Sequence, residues 1–394
     1  MATADWILKF PMARLHHLPG SSSDHKPLWL VSDDLQTQFN RAQKPFRFEA
    51  MWLKDERCEG VVHSVWDRNT GGDPMSKIMR KVGECQKQLK LWDKNVFGNV
   101  SMALAHNRKL LVMAKGDSMA GRNHARVKFL FEEISRLMDC EERMWSQRSK
   151  TEWLRYGDQN TKYFHRRATE RNKKNFISGL ENAQREWMEG EEQIGEMLTR
   201  YYSNLFSTVN LIELDTVLSG VQPRVSDGMN TELLKPFRME EVHIALKQMK
   251  SDTAPGSDGH PPLFYKTFWE KVRAKVSDAV LSVLNSNTLP PNLNHTFISL
   301  IPKIKSPKKV TEFWPISLCN VLCKLIVKVL ANRLKPMLPI LISKTQSAFM
   351  SEKLITDNIL MAHETLHYLK TKRSGKMGYM SMKLDMSKAY DRVE

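Results

Sequence analysis

The sequence predicts an α+β chain that is mostly helical, and three observations predict it. Apolar residues recur at spacings of three and four through 76–150 and again within 320–338 and 352–372, the mark of amphipathic helices. Two short stretches, 294–318 and 379–384, alternate apolar and polar residues instead, as half-buried strands do. Between these regions, prolines and glycines crowd into 254–262 and interrupt any regular element.

Residues 1–31 read as a strand-and-loop fragment closing on SSSDHKPLWLVS, where a Ser-rich turn leads through Asp24 and His25 into an apolar strand. Residues 32–75 are mixed and contain KPFRFEAMWLKD. Ile78, Val82, Cys85 and Leu89 then form one apolar stripe, which the two glycines of AKGDSMAGRN (114–123) should end. Val127, Leu130, Ile134, Leu137 and Trp145 belong to a second stripe, so two long helices joined by a polar turn predict an antiparallel arm. In WLRYGDQNTKYFHRRATERNKKN, aromatics interleave with Arg166, Arg167, Arg171, Lys173 and Lys174. That segment is either a solvated helix face or a surface for single-stranded nucleic acid, where rings stack on bases and cations meet phosphates.

A short helix is expected over FRMEEVHIALKQMK (237–250). Pro255, Gly256, Gly259, Pro261 and Pro262 follow and force an irregular loop. It is either a plain connector or a place where glycines let backbone approach a ligand, although Walker spacing is absent. NHTFISLIPKIKSPKKVTEFWPISL reads as a hairpin whose turn carries Lys303, Lys305, Lys308 and Lys309. NVLCKLIVKVLANRLKPML (320–338) is an amphipathic helix, and another at 352–372 gathers Leu354, Ile355, Ile359, Leu366 and Leu369 on one side. The run Tyr379–Met380–Ser381–Met382–Lys383–Leu384 is expected as a closing strand that delivers Asp385 at its end.

At 394 residues, with 41% hydrophobic residues and ten Trp, the chain can build cores and has room for two or three domains. Its formal net charge of +16 exceeds what an enzyme of neutral small molecules needs. Either that charge serves solubility alone or it meets a polyanion, since Lys and Arg release counterions from phosphates. The five cysteines lie apart and form no CxxC; Cys319 and Cys323 share a helical spacing but suit buried free thiols better than a metal. A reducing, intracellular setting (nucleus or cytoplasm) is expected, with no signal peptide and no membrane span.

An acidic residue where a strand opens into a turn is placed to hold a cation, but a lone one is ordinarily a turn residue or helix cap. In nucleotidyl transfer, carboxylates clamp two divalent ions about 4 Å apart. Mg²⁺ takes one or two protein carboxylates beside waters and substrate phosphates. Asp385 could supply one of them.

Together these segments resemble the reverse transcriptase of plant LINE-type (non-LTR) retrotransposons. LDMSKAYDRVE resembles the family's first catalytic motif, and APGSDGHPPLFYKTFW its Pro-Gly-x-Asp-Gly loop. FISLIPKIKSPKKVTEFWPISLCNVLCKLIVKVLANRLKPMLPILISKTQSAF followed by LITDNILMAHE resembles its fingers and the helices leading to the palm. WSQRSKTEWLRYGDQNTKYFHRRATERNKKNFI resembles the connector between endonuclease and polymerase, and SSSDHKPL the last motif of an apurinic-type endonuclease. The resemblance implies an endonuclease remnant at 1–31, a helical connector at 32–230, and the fingers with the first palm strand at 231–394. It implies RNA template and DNA primer as partners and leaves the oligomeric state open.

By that resemblance Asp385 would be the first of three catalytic aspartates and a ligand of Mg²⁺, and Tyr390 the aromatic gate against a ribose 2′-OH. Lys303 would lie near the incoming triphosphate, with Lys305, Lys308, Lys309, Arg166, Arg167, Lys173 and Lys174 on nucleic acid. Gly256, Asp258 and Gly259 would help seat the template, and Asp24 with His25 would close the endonuclease site. The chain departs from the family at Trp314, where an Arg is usual, at Thr253 in place of a Lys, and at Glu352–Lys353 in place of Gly-Arg. An indole cannot hold triphosphate oxygens by charge-assisted hydrogen bonds. The family's aromatic-x-Asp-Asp motif and thumb are not among these residues, and Asp33–Asp34, the adjacent pair present, lies in the wrong segment. The expectation is a catalytically incomplete segment that still binds nucleic acid, or an inert product, with poor solubility from unpaired strand edges.

Overall fold

The computed structural model describes Trp6, Phe10 and residues 13–17, 28–31, 45–119, 124–150, 161–207, 214–220, 222–286, 288–347, 350, 353–372, 374–375 and 378–385. Most described residues are helical, as expected, and the strands come as three separate antiparallel pairs.

The elements run as follows. Strands β1 (Arg14–His17) and β2 (Leu28–Val31) pair with Arg14 opposite Val31. Helices α1 (Glu56–Asp67), α2 (Pro74–Trp92), α3 (Val100–Met119), α4 (His124–Ser149) and α5 (Thr161–Asn175) follow. Then come β3 (Leu180–Glu181), β4 (Trp187–Met188), α6 (Glu191–Leu205), α7 (Leu214–Ser219) and α8 (Asp227–Leu233). The rest is α9 (Met239–Gln248), α10 (Pro262–Thr267), α11 (Trp269–Ser286), β5 (Phe297–Pro302), β6 (Phe313–Leu318), α12 (Val321–Leu334), α13 (Leu338–Leu341) and α14 (Ile355–Thr371).

The chain forms two compact units, one from residues 1–178 and 237–326, the other from 179–236 and 327–394. The units interleave in sequence, so the segments 32–230 and 231–394 each contribute to both.

In the first unit, α1 and α2 begin at aspartate caps. The Asp55 carboxylate accepts from the Arg57 amide at 3.0 Å and the Asp73 carboxylate from the Ser76 amide at 2.9 Å, satisfying orphan N–H groups. Lys81, buried along α2, donates to the carbonyls of Val65 (3.2 Å), Trp66 (3.1 Å) and Arg68, which close α1. A cation at a helix C-terminus suits the negative end of its dipole. Burial nevertheless pushes the Lys81 ammonium below its ordinary value.

The core of this unit is aromatic. Phe48, Trp52, Trp92 and Phe264 meet edge-on, with ring centroids 5.4 Å apart for Phe48–Trp52 and Phe48–Phe264 and 6.2 Å for Trp52–Trp92. Edge-to-face pairing sets positive ring edges against negative faces. Gln147 of α4 holds the segment 48–50 in place: its Oε1 accepts from the Ala50 amide at 2.8 Å and its Nε2 donates to the Phe48 carbonyl at 2.9 Å.

The antiparallel arm is present. Ser101 of α3 bonds Glu141 of α4 at 2.8 Å, and the Lys115 ammonium lies 4.8 Å from the Phe131 ring. Its boundaries differ from the expected ones. The helix begun at Pro74 stops at Trp92, where a single π turn, Asp93–Phe97, leads to Gly98 at φ 76°. The Asp93 side chain accepts from the Trp52 indole at 2.9 Å, so a tertiary contact sets this break. Gly116 stands inside α3 and ends nothing, because the packing of α3 on α4 outweighs glycine's modest cost in a helix.

Helix α11 was not expected at all. Its Val272, Val276, Ala279, Val280, Val283 and Leu284 are buried, and it packs on α1 and α2. Cys319 is not helical, since α12 begins at Val321. The described structure pairs none of the cysteines in a disulfide.

In the second unit, β3 and β4 pair tightly because Gly179 leaves room for the Trp187 ring; a Cβ there would lie 2.5 Å from its Cζ2. The Arg333 guanidinium gathers the carbonyls of Leu233 (3.0 Å), Pro236 (2.9 Å) and Lys235. Helix α14 starts at a box in which the Asp357 carboxylate accepts from the Leu354 amide at 3.3 Å. Its apolar residues Ile355, Ile359, Leu360 and Leu366 are exposed.

The expected closing strand is a correction. Residues 378–385 lie in no helix or strand and are exposed, with Met380 and Leu384 open to solvent. A half-buried strand needs backbone partners for its N–H and C=O groups and a core under alternate side chains. Among the described residues neither is supplied.

Candidate nucleic-acid interface

The hairpin β5–β6 is antiparallel over its full length, from Phe297 opposite Leu318 to Pro302 opposite Phe313. Directly paired residues share a face and neighbours along a strand alternate. One face therefore carries Ile298, Leu300, Pro302, Phe313, Pro315 and Ser317, and at the turn end Pro302 and Phe313 are buried. The opposite face carries Phe297, Ile301, Trp314, Ile316 and Leu318, and Trp314 is 56% exposed.

Residues 303–312 form the turn, holding four lysines against one glutamate. The turn is fastened by its own groups. The Lys303 amide donates to the Glu312 carbonyl at 2.8 Å, and its ammonium to the Thr311 carbonyl at 2.9 Å. The Glu312 carboxylate accepts from the amides of Lys308 (2.7 Å) and Lys309 (3.1 Å), which hold it below the usual carboxylate range. The one acidic side chain of the turn is thus spent on backbone amides, leaving a basic tip.

Helix α5 packs against β5 within the same unit. Its residues 161–175 include six Lys or Arg and one Glu. Arg166 and Arg167 both approach Glu170, at 2.8 and 3.6 Å, and remain about half exposed. Exposed pairs of this kind contribute little to stability and leave guanidinium N–H groups for another acceptor. Lys173 donates to the Ala13 carbonyl at 3.2 Å, while Lys174 is exposed. Two basic segments far apart in sequence, α5 and the hairpin turn, are thereby brought onto one unit, with α5 against the strand that leads into the turn.

The Pro-Gly loop lies in the core of that unit. A Cβ on Gly256 would fall 2.5 Å from the Cys319 carbonyl carbon, and one on Gly259 2.6 Å from Phe46 Cδ1. Gly259 also sits at φ 71°, which L side chains disfavour, and its carbonyl accepts from the Phe48 amide at 2.9 Å. Both glycines therefore admit the protein's own backbone. Asp258 and His260 are closed in with them: the His260 ring lies 4.5 Å from Phe264 and 5.3 Å from Phe46. Its Nδ1 meets the Asp258 carbonyl at 2.9 Å. Among the described residues the Asp258 Oδ2, His260 Nε2 and Tyr265 hydroxyl have no hydrogen-bond partner and are buried. Burial pushes the Asp258 carboxyl up to about 6 and the His260 imidazole down to about 4.

Asp385 stands exposed on the irregular segment 378–385. Among the described residues no group of three or more His, Cys, Asp or Glu could hold a metal ion. Asp385 alone does not make a Mg²⁺ site. Tyr390, Asp24 and His25 lie outside the described residues. No helix among the described residues is long and apolar enough to cross a membrane.

Sequence reasoning missed the burial of His260 and the part played by Asn320. The Asn320 side chain accepts from the Cys323 amide at 2.7 Å and donates to the Leu293 carbonyl at 2.7 Å. An Asn directly before an apolar periodic run is a helix-start signal and would have found the first of these bonds.

Residues 304–394 match the reverse transcriptase (RNA-dependent DNA polymerase) family. The chain is also 26% identical over 249 residues to a Xenopus laevis protein named "Transposon TX1 uncharacterized 149 kDa protein"; the match covers 63% of this chain and 19% of that one. The chain thus spans about a fifth of the length of this relative. The matched family segment begins in the hairpin turn and includes Trp314 and Asp385.

Proposed function

We propose that this chain is the fingers and first palm strand of the reverse transcriptase of a plant LINE-type retrotransposon, behind a helical connector and an endonuclease remnant. The observation that carries the reading is the reverse transcriptase match over 304–394. The relation to a transposon protein and the basic hairpin with α5 beside it support it further. RNA template and DNA primer are its partners, in a reducing intracellular setting. Lys303, Lys305, Lys308 and Lys309 serve phosphates; Asp385 is one carboxylate of a larger metal-binding set, and Tyr390 sits beside the sugar. Because such a set acts as a unit, the 394 residues by themselves do not copy a template.

Primer extension on poly(rA)/oligo(dT) with Mg²⁺ tests this in two steps. The isolated chain should extend nothing. A chimaera carrying residues 231–394 in place of the matching segment of an active non-LTR reverse transcriptase should extend weakly and lose that activity with Asp385→Asn. Trp314→Arg should raise it. An Asp385→Asn chimaera as active as its parent defeats the assignment.

A further inference from the structure

We propose that Trp314 is a stacking platform for an unpaired base of single-stranded nucleic acid, with the hairpin lysines and the cations of α5 holding phosphates on either side. This deepens the nucleic-acid reading above and rests on it.

The indole sits at the turn end of its sheet face and is 56% exposed among the described residues, while its strand neighbour Phe313 on the other face is fully buried. Burying the Phe313 side anchors the hairpin, and the register then obliges Trp314 to face out. Trp314 is paired with Ile301, and Phe297 lies four residues farther along β5 on the same face, about 13 Å away at strand rise. Two exposed rings on one flat face suit bases that are splayed out, as single strands allow and duplexes do not.

Charge identifies the occupant of this face. The turn next to Trp314 carries four lysines and one glutamate, and α5, packed on β5, carries six basic residues and one acidic. The turn's glutamate is engaged by two backbone amides. An apolar, aromatic face with cations at its turn end and on the helix packed against β5 matches a polymer that alternates flat rings with phosphates. A protein partner would need an acidic rim around an apolar centre; a nucleic acid has both features in every residue.

The chemistry also explains the departure at position 314. An arginine there contributes a charge and several donors; an indole contributes no charge and a single N–H donor but offers the larger stacking surface. The site in this chain is therefore directed at a base.

The test is binding of a fluorescein-labelled twelve-nucleotide oligo(U) RNA to the full chain, read by anisotropy between 50 and 200 mM salt, roughly the range over which phosphate contacts reveal themselves. Trp314→Ala should weaken binding about 5- to 100-fold with the salt slope unchanged. Trp314→Phe should keep most of the affinity. Joint Lys305→Gln, Lys308→Gln and Lys309→Gln should flatten the slope by about 2, near 0.7 for each phosphate contact on a single strand. A matching RNA duplex should show no dependence on Trp314. Thermal unfolding should be unmoved by Trp314→Ala, because the side chain is exposed. Unaltered oligo(U) affinity in Trp314→Ala overturns the stacking site, while a lysine-dependent slope would leave the nucleic-acid reading standing. Absence of oligo(U) binding at 50 mM salt alongside binding to phosphatidylserine vesicles overturns it as well, assigning the face to an anionic lipid surface. The polymerase assignment is read separately, by primer extension in the chimaera, so failure here is distinct from failure of that assignment.

Discussion

The half-buried Asp258, with its enclosed Oδ2, and the buried His260 should make the first unit's stability respond to pH in a way that single substitutions expose. His260 is neutral in its aromatic pocket and protonates in the folded state only near about 4, against an ordinary 6.5. Between those values the unfolded chain binds the proton and the native one does not, so the native state loses stability as pH falls. At 1.36 kcal/mol for each pH unit, the loss amounts to about 3.4 kcal/mol. Asp258 works the other way. Its carboxyl, closed in with an unpartnered Oδ2, protonates near about 6 rather than 3.8. The native state gains about 3 kcal/mol as pH falls across that interval. The two contributions nearly cancel between pH 4 and 6.

Lys324 faces Asp258, and Tyr265 lies near it, with Cys85 near Tyr265. Burial pushes the Tyr265 hydroxyl and the Cys85 thiol up, away from that window. Asp258→Asn keeps an acceptor for the His260 amide but removes the acid, so His260 acts alone. Urea unfolding followed by tryptophan fluorescence should find Asp258→Asn up to about 3 kcal/mol more stable than the parent at pH 7, with the advantage gone by pH 4. His260→Phe should gain relative to the parent on acidification by a comparable amount. Parallel pH profiles for parent and Asp258→Asn would refute the reasoning, because the carboxyl would then be titrating as if in water.

Two further outcomes follow from the same core. Gly256→Ala should cost more than about 3 kcal/mol or leave the chain insoluble, since rigid backbone at Cys319 and Asn320 occupies the Cβ position; circular dichroism melts decide it. Gln147→Ala strands the Ala50 amide and the Phe48 carbonyl and should cost about 2 kcal/mol, with faster hydrogen exchange at Ala50 as its signature.

Much of the local structure was legible because it obeys local rules. The stripes at 78–89 and 127–145 and the alternation at 294–318 express side-chain periodicity, and these appear in the fold. What escaped depended on partners elsewhere in the chain. The π turn at Asp93–Phe97 is set by Trp52, and α11 hides its stripe in a helix buried on more than one side. The run at 379–384 has the right period for a strand, but period alone does not supply a neighbour. For the site, lysines at a hairpin turn could be placed from sequence, whereas the contact of α5 with β5 could not. The glycines of the Pro-Gly loop leave open a plain connector or close approach to a ligand, and the approach the structure shows is of the protein's own backbone. Which backbone approaches could not be read, because Phe46 and Asn320 are distant along the chain.

That loop bears on the interface although it is buried. Gly256 packs on Cys319 and Asn320, the residues joining β6 to α12. Asn320 caps α12 and ties down Leu293 ahead of β5, and Lys324 reaches the Ala254 carbonyl at 3.4 Å. Both ends of the hairpin are therefore fastened to the same loop, whose own position depends on Gly259 lying against Phe46. A two-stranded hairpin is at best marginally stable in isolation, so the direction in which Trp314 and the turn lysines point is set at this base rather than along the strands. Losing the loop's packing would free the hairpin to swing and scatter the cations around its exposed face. The burial of the Pro-Gly loop and the exposure of the basic turn are thus two ends of one lever, and substitutions at the buried end should weaken oligonucleotide binding without removing a single charge.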